Sequence, residues 1–295
     1  MEGEAEMNFS FESFINGNFD YDPATCQHTG LWLRDQNMDI GGGKITKRDI
    51  DRLRFYPDTD TVTISGLRQD TFEYFIRTYG HQLKAIRFFK NKLVEDWSLL
   101  GTLPRLEYVH YFANQRIDRL WDMRGNTALT ALSISDFTRL HSIEGIGAAP
   151  ALREFHIGDA IWRKAVVNSL MPLANTGIEV LSFGAKELTD DNLSFLCTMN
   201  NLKAFDFSTN QFTTEQVAWI AGNFPALQGF ALTAKRDIGP MQYADEEPYT
   251  LIIGKRKPCL KIRGNEARIA KYEENFEALK QKYKGMPYEA AFPQA

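Results

Sequence analysis

Histidine and serine side chains recur at a fixed spacing in the middle of this 295-residue chain. His110, Ser133 and His156 follow one another at intervals of 23 residues, and Asp136 is close to the serine. These are the residue types of nucleophilic hydrolysis, but the sequence lacks the nucleophile elbow and oxyanion site that this chemistry needs. If each interval is one strand, the two histidines are too far apart to share a metal ion. We therefore predict no enzyme activity and no metal site.

Other motifs that could carry chemistry are weaker. The glycines and lysine of residues 41–44 lack the G-x-x-x-x-G-K-[ST] spacing of a phosphate-binding loop and indicate a flexible turn. The basic run at residues 255–257 could touch phosphate or an acidic partner, but a solvated turn is the simpler interpretation. Cys26, Cys197 and Cys259 are far apart and form no C-x-x-C pair, so disulfides and zinc are not expected. No cofactor is predicted.

Charge and hydropathy limit the classes of partner. A formal net charge of -4 and a sequence pI near 5.8 give no reason to expect nucleic acid or an acidic membrane. The N-terminus is acidic where a signal peptide would be basic, and no apolar run approaches the roughly 18 residues that span a bilayer. With so few cysteines, these features favour a cytoplasmic protein.

A repeating pattern of apolar residues predicts the strands on which these histidines lie. The pattern Leu-x-x-Leu-x-Leu, with other large apolar residues allowed at its anchors, recurs at intervals of 23 to 26 residues. Its seven copies begin at Leu83, Leu106, Leu129, Leu152, Ile178, Leu202 and Leu227. Two weaker copies begin at His28 and Thr59. A period in this range is typical of a solenoid, in which each unit has one short strand and buries its apolar side against the next unit.

The repeat resembles that of the leucine-rich repeat family, with the irregular units of bacterial members. The family pattern continues to an asparagine at the ninth position, which Asn91, Asn114 and Asn210 occupy. The resemblance covers roughly residues 28 to 235. It implies an α/β solenoid, a horseshoe with a concave parallel sheet, outer helices or turns and capping elements at both ends. It also implies that these asparagines bond backbone groups of adjacent turns and that the concave face recognises macromolecules.

The predicted organisation has three parts. An N-terminal cap at residues 1–27 precedes a solenoid of about nine coils at 28–235, and a C-terminal cap and tail occupy 236–295. The N-terminal cap is predicted to be a strand or hairpin over the open end, from its alternating aromatic residues Phe9, Phe11, Phe14, Phe19 and Tyr21. The C-terminal cap is predicted as strands at 249–254 and 259–262 and a helix from about 265 to 284, after a connector at 233–248.

Helix-start signals lie in several segments between the strands. Capping boxes are predicted at Thr213 and Asp70, and single caps at Thr189 and Thr46. By contrast, prolines and glycines in the three 23-residue steps after Leu83 leave space only for short turns or 3-10 helix.

Side chains between the apolar anchors should line the concave face, because successive strand residues point to opposite faces. Large polar and aromatic residues crowd its first half, whereas small residues dominate from Val180 onward. The predicted partner-binding residues are Arg87, Phe89, Tyr108, His110, Phe112, Glu154 and His156. Exposed aromatic rings and arginines dominate the energy of many interfaces. The alternatives are that these residues are ordinary exposed surface, or that the N-terminal cap folds over them.

The predicted function is that of a non-enzymatic, monomeric scaffold that binds an unidentified protein on its concave face. One alternative is an inhibitor or immunity-type protein that neutralises a toxin enzyme. Another is a carbohydrate-binding module, in which the same aromatic rings would stack against sugars. The small-residue half of the concave face has no assigned role.

Overall fold

The structure is a computed structural model that describes residues 11–16, 21–22, 27–28, 31–33, 44–239 and 247–293. The chain divides into two units, Met1–Asn168 and Ser169–Ala295. Both units combine parallel strands with helices, which places the chain in the α/β class. The predicted division into a cap, a solenoid and a second cap stays a prediction.

Parallel strands form the centre of the first unit. Its strands are β1 (Tyr21–Asp22), β2 (Gln27–His28), β3 (Leu31–Leu33), β4 (Thr61–Ile64), β5 (Ala85–Phe89), β6 (Tyr108–Asn114), β7 (Ala131–Phe137) and β8 (Glu154–Gly158). β1 and β2 pair with each other antiparallel, whereas β3 to β8 are parallel neighbours in sequence order. A further strand, β9 (Val166–Ser169), spans the boundary between the units. Because parallel neighbours need crossover connections, the chain must return outside the sheet after each strand.

The strands follow the alternation expected from the sequence. In β5, Ile86 and Phe88 are fully buried, whereas Arg87 on the other face is half-buried. Pairing aligns equivalent positions of neighbouring strands, as the constant spacing predicts. The first row contains Thr61, Ala85, Tyr108, Ala131 and Glu154. The second row contains Thr63, Arg87, His110, Ser133 and His156. The third row contains Phe89, Phe112, Ser135 and Gly158. We call the sheet face that carries these rows the row face.

Asparagine side chains satisfy backbone groups where the strands of the first unit end. Asn114 is buried; its amide nitrogen donates to the carbonyls of Asn91 and Val94, and its oxygen accepts from the amides of Arg116 and Ile117. Asn91 joins the preceding turn in the same way. Buried backbone groups need such partners, so the role expected of these two asparagines is confirmed.

Short helical segments make the connections in the first unit. Its α-helices are α1 (Phe11–Asn16), α2 (Lys47–Ile50) and α3 (Gln69–Tyr79). The three 23-residue steps contain the expected 3-10 helices, Ser98–Thr102, Met123–Gly125 and Ile146–Ala148. The cap predicted at Thr46 is confirmed, because its hydroxyl accepts from the amide of Asp49. The box predicted at Asp70 is wrong, since α3 begins earlier and the Thr71 hydroxyl accepts from the Arg68 amide.

The second unit contains parallel and antiparallel strands. Its strands are β10 (Val180–Gly184), β11 (Glu187–Asp190), β12 (Ala204–Phe207), β13 (Lys235–Ile238), β14 (Tyr249–Ile252) and β15 (Cys259–Lys261). β10 and β12 are parallel neighbours, and β13, β14 and β15 form an antiparallel sheet. Its α-helices are α4 (Thr214–Asn223), α5 (Glu266–Tyr283) and α6 (Tyr288–Ala291). The two strands and the long helix predicted after residue 248 are therefore confirmed, and α5 packs against α4.

The predicted repeat at residues 227–232 is wrong. This segment is a turn, in which Phe230 is 48% exposed and Ala231 is fully buried, the reverse of the expected orientation. The carboxylate of Asp206 accepts a hydrogen bond from the Phe230 amide, and only an isolated bridge joins Gln228 to Ala204. A backbone amide held by a side chain is not available to a strand ladder, so local bonding overrides the apolar pattern here.

Three further predictions in the second unit are wrong. Thr189 lies in β11, and the Asn192 side chain accepts a hydrogen bond from the amide of Ser194, the first residue of the next 3-10 helix, Ser194–Thr198. Asn210 is exposed, so it does not take the backbone role of the earlier asparagines. The connector predicted at 233–248 contains strand β13; its residues 240–246 lie outside the described part of the chain.

Helix α4 provides a test of how much a correctly placed cap contributes to stability. The Thr213 hydroxyl accepts from the Gln216 amide, and the Gln216 side chain accepts from the Thr213 amide. Replacing Thr213 with alanine is expected to lower the free energy of unfolding by about 1 kcal/mol, because one helix-start amide loses its acceptor. Urea denaturation measures the change. The matched control is Thr189→Ala, an exposed strand threonine for which we expect less than about 0.5 kcal/mol.

Candidate functional site

Helix α1 lies against the row face of the first unit. Its aromatic side chains Phe11 and Phe14 are 4% and 0% exposed. With Ile15 they form an apolar cluster that includes three first-row residues, Ala85, Tyr108 and Ala131. Spacings of three and four residues place the α1 side chains on one helix face. The strand or hairpin predicted here is therefore wrong at residues 11–16, while Phe9 and Phe19 lie outside the described residues.

Aromatic ring contacts hold α1 in place. The Phe11 ring stacks on Tyr108 with a centroid distance of 5.7 Å and meets His156 edge-on at 5.4 Å. The Phe14 ring lies 6.1 Å from the Tyr108 ring. These distances fall in the range of favourable aromatic pairs. Alanines flank Tyr108 in the first row, so the sheet leaves room for two rings at this point.

A buried polar layer lies beside this cluster in the second row. His110 is 4% exposed and Ser133 is 1% exposed. The Nδ1 atom of His110 has no hydrogen-bond partner among the described residues. Burial, with smaller contributions from the nearby charges of Arg87 and His156, lowers the pKa of His110 from 6.5 to about 3. The imidazole is therefore neutral at neutral pH.

A hydrogen-bonded pair borders α1 on β8. The Nε2 atom of His156 lies 2.7 Å from Oε1 of Glu154, and both side chains are about one quarter exposed. This bond orients the imidazole whose ring meets Phe11. The pair therefore supplies a polar border to the apolar cluster and keeps access to solvent.

A second cluster of interest lies where the rows reach the ends of β5 and β6. The Phe89 and Phe112 rings stack with a centroid distance of 5.4 Å. The Arg87 guanidinium lies 5.5 Å from the Phe89 ring centroid, and the Lys90 ammonium lies 4.9 Å from it. Cations at this distance are attracted to the negative ring face. We call Arg87, Phe89, Lys90 and Phe112 the cationic aromatic cluster.

The predicted binding residues all lie on the row face and fall into two groups. Tyr108 and His156 contact α1, Glu154 bonds to His156, and His110 lies beside them in the second row; the other three belong to the cationic aromatic cluster. The expectation of general exposure is wrong at His110 and Phe112, which are buried. Alternation alone assigns both positions to the surface, but it does not account for neighbouring side chains such as Phe89, which stacks on Phe112.

Three further residues complete these groups. Phe11 and Phe14 are predicted as part of a strand or hairpin of the N-terminal cap, although their spacing of three residues also fits one helix face. The alternative that this cap folds over the predicted binding residues agrees with the contacts of Phe11 with Tyr108 and His156. Lys90 had no sequence signal. It has a left-handed backbone (φ 58°), and the turn at the strand end brings its side chain beside the preceding ring.

Other parts of the described chain are less suited to binding or catalysis. A groove of about 930 Å³ in the first unit is lined largely by charged side chains of both signs, including Glu95 and Arg116, which pair with each other. Within the described ranges, no group of three or more His, Cys, Asp or Glu residues is placed to hold a metal ion. Cys197 and Cys259 are free and exposed, and Cys26 lies outside the described residues.

None of the described helices has the length and apolar character needed to cross a membrane.

Comparisons with known proteins do not identify a family for this chain. No protein-family model matches the chain. The search of curated proteins likewise finds no match.

Proposed function

We propose that the chain is a non-enzymatic recognition protein of leucine-rich repeat type, which binds a protein partner through its row face. In this proposal the row face is the concave face of a horseshoe. The observation that carries the proposal is the cationic aromatic cluster. A stacked ring pair beside an arginine has the composition of interface hot spots, in which few residues supply most of the binding energy.

Three features of the first unit support the leucine-rich repeat assignment. Strands β3 to β8 are parallel neighbours in sequence order, as stacked coils require. The 23-residue steps contain short 3-10 helices, which match the tight outer turns of short repeats. Asn91 and Asn114 link adjacent turns through backbone hydrogen bonds. The same arrangement would expose one sheet face along its length.

The cluster also suggests the chemistry of the partner. The Phe89 ring is half-buried, and two cations lie within 5.5 Å of its centroid. A partner with an apolar side chain next to a carboxylate would cover the ring and face both cations. Complementary charge of this kind favours the correct partner and raises the rate of encounter.

Catalysis is not part of the proposal. His110 and Ser133 are both buried in the row face, so neither reaches a substrate in this conformation. We assign them to the polar layer of the scaffold. A monomeric cytoplasmic protein fits this function, and the free cysteines Cys197 and Cys259 fit a reducing compartment.

Removing the Phe89 ring is expected to weaken partner capture strongly. Wild-type protein and a Phe89→Ala variant would be immobilised, exposed to lysate of the source cells, and compared by quantitative mass spectrometry of retained proteins. We expect the variant to retain the partner at least about tenfold less, the loss typical of a hot-spot residue.

The matched control is Phe230→Ala in the second unit. Phe230 also has an arginine over its ring, with the Arg236 guanidinium 5.0 Å from the centroid. This variant should retain the partner as the wild type does. Equal retention by Phe89→Ala and wild type would remove the cluster from the proposed site. Retention of a toxin-like enzyme would specify an inhibitor or immunity role, whereas binding to a glycan array without a retained protein would favour carbohydrate binding.

A further inference from the structure

We propose that the row face is a docking site for a helix that presents two aromatic residues three positions apart, and that α1 is the resident occupant such a partner must displace. The inference rests on the proposed recognition function and specifies the kind of segment recognised. Phe11 and Phe14 show the required pattern, since both rings are buried against the first row.

The sheet side of the docking site is held by contacts that do not involve α1. On the opposite face of the same strands, Val109, Leu132 and Phe155 are fully buried in the main core. Asn91 and Asn114 hold the strand ends from within the sheet unit. Without α1, Tyr108 would therefore remain in position between two alanines. A preformed site of this kind binds without the cost of ordering itself.

Helix α1 is well suited to exchange. It has six residues, whereas isolated helices shorter than roughly 12 to 15 residues are marginal in water. Its helical conformation therefore depends on contact with the row face. The apolar cluster that it completes is also separate from the main core, so its release would leave that core intact.

The geometry selects aromatic side chains over aliphatic ones. Phe11 stacks on Tyr108 at an interplanar angle of 21° and meets the His156 ring at 63°. The alanines beside Tyr108 are 1% and 2% exposed, and they border the space that the two rings fill. A partner helix would place its rings here, while adjacent carboxylates would face the cations of the cationic aromatic cluster.

A peptide of residues 8–19 tests the proposal without an identified partner. We would label it with a fluorophore and measure its binding by anisotropy to full-length protein and to a Phe11→Ala/Phe14→Ala variant. The peptide should bind the variant at least about tenfold more tightly than the wild type, whose own α1 competes at high effective concentration. A control peptide with both phenylalanines replaced by alanine should bind neither protein. Equal binding to both proteins, equal binding of both peptides, or no binding would overturn the proposal.

Hydrogen exchange on the wild-type protein provides a test that needs no variant, should the double substitution prevent folding. The amides of α1 should exchange at least about tenfold faster than those of β6, because α1 opens without global unfolding. Equal rates would show that α1 leaves only when the unit unfolds, and would overturn the proposal. A concentration-dependent dimer that the double substitution abolishes would also overturn it, since the occupant would then be a second copy of this chain.

The outcomes separate this inference from the proposed function. If the peptide fails to bind the variant but Phe89→Ala still loses the captured protein, recognition stands and the helix docking site falls. If the peptide binds while Phe89→Ala retains every captured protein, the docking site stands and the cationic aromatic cluster loses its role.

Discussion

Lowering the pH from 7 to 3 is expected to destabilise the first unit through His110 by on the order of 4 kcal/mol. The pKa of this side chain falls from 6.5 to about 3 on folding, mainly because of burial and further because Arg87 and His156 are near. Between these two values the unfolded chain binds a proton that the folded chain does not. Stability is therefore greatest above about pH 6.5 and falls as the pH is lowered through this window.

The measurement is urea denaturation of wild type and a His110→Leu variant at several pH values between 3 and 7. Carboxylates also titrate in this range, so the informative quantity is the difference between the two proteins. The variant should lose less stability on acidification. At pH 7 the two should differ by less than about 1.5 kcal/mol, because leucine removes a buried nitrogen that has no hydrogen-bond partner among the described residues.

Ser133→Ala is the control for the His110 experiment. Ser133 is the neighbour of His110 in the second row and is equally buried, but it does not ionise. Its replacement should leave the pH dependence parallel to that of the wild type. Parallel curves for wild type and His110→Leu would contradict the assignment of the acid sensitivity to this histidine.

Replacing Asn114 with alanine is expected to lower the free energy of unfolding by about 2 to 4 kcal/mol. The side chain is 1% exposed and serves two carbonyls and two amides at the end of β6. Alanine would leave buried backbone groups without partners, and each such group costs about 1 to 3 kcal/mol. Denaturant unfolding, followed by the fluorescence of Trp97 and Trp121 in the same unit, would report the change.

Asn210 is the matched control for Asn114. It occupies the same position of the sequence pattern, but it is exposed in the structure. Asn210→Ala should therefore change stability by less than about 0.5 kcal/mol. If both substitutions had the same effect, the large expected cost at Asn114 would not come from its buried backbone hydrogen bonds.

These two sites connect the scaffold to the proposed recognition surface. On β6, Tyr108 contacts α1, His110 lies in the polar layer and Phe112 belongs to the cationic aromatic cluster. Asn114 holds the end of this strand. A weakened strand end would therefore be expected to disturb both groups of predicted binding residues, whereas a change at Phe89 should act on the surface alone.

The parallel rows could be predicted because strand spacing and alternation are local properties. Anchors such as Ile86 and Phe88 repeat at a nearly constant interval, and burial of one sheet face sets the register. The cap at Thr213 could also be predicted, since both reciprocal hydrogen bonds lie within the four successive residues 213–216. The cap predicted at Thr189 is wrong, because its segment forms strand β11. A local sequence pattern indicates which secondary structures a segment can form, and contacts with neighbouring segments determine which of them it adopts.

The sequence by itself determined the α/β class and the aligned rows of the first unit, because both follow from the spacing of apolar residues. The backbone role of Asn91 and Asn114 was implied by the resemblance to the leucine-rich repeat family. Only the tertiary structure decided which row residues are covered. Phe11 meets His156 across 145 positions of sequence, and no local pattern specifies such a contact. The orientation of Phe230 was also decided by a contact from Asp206. The spacing of apolar residues predicts which side chains are buried. Which side chains they contact depends on how distant segments pack together in the fold.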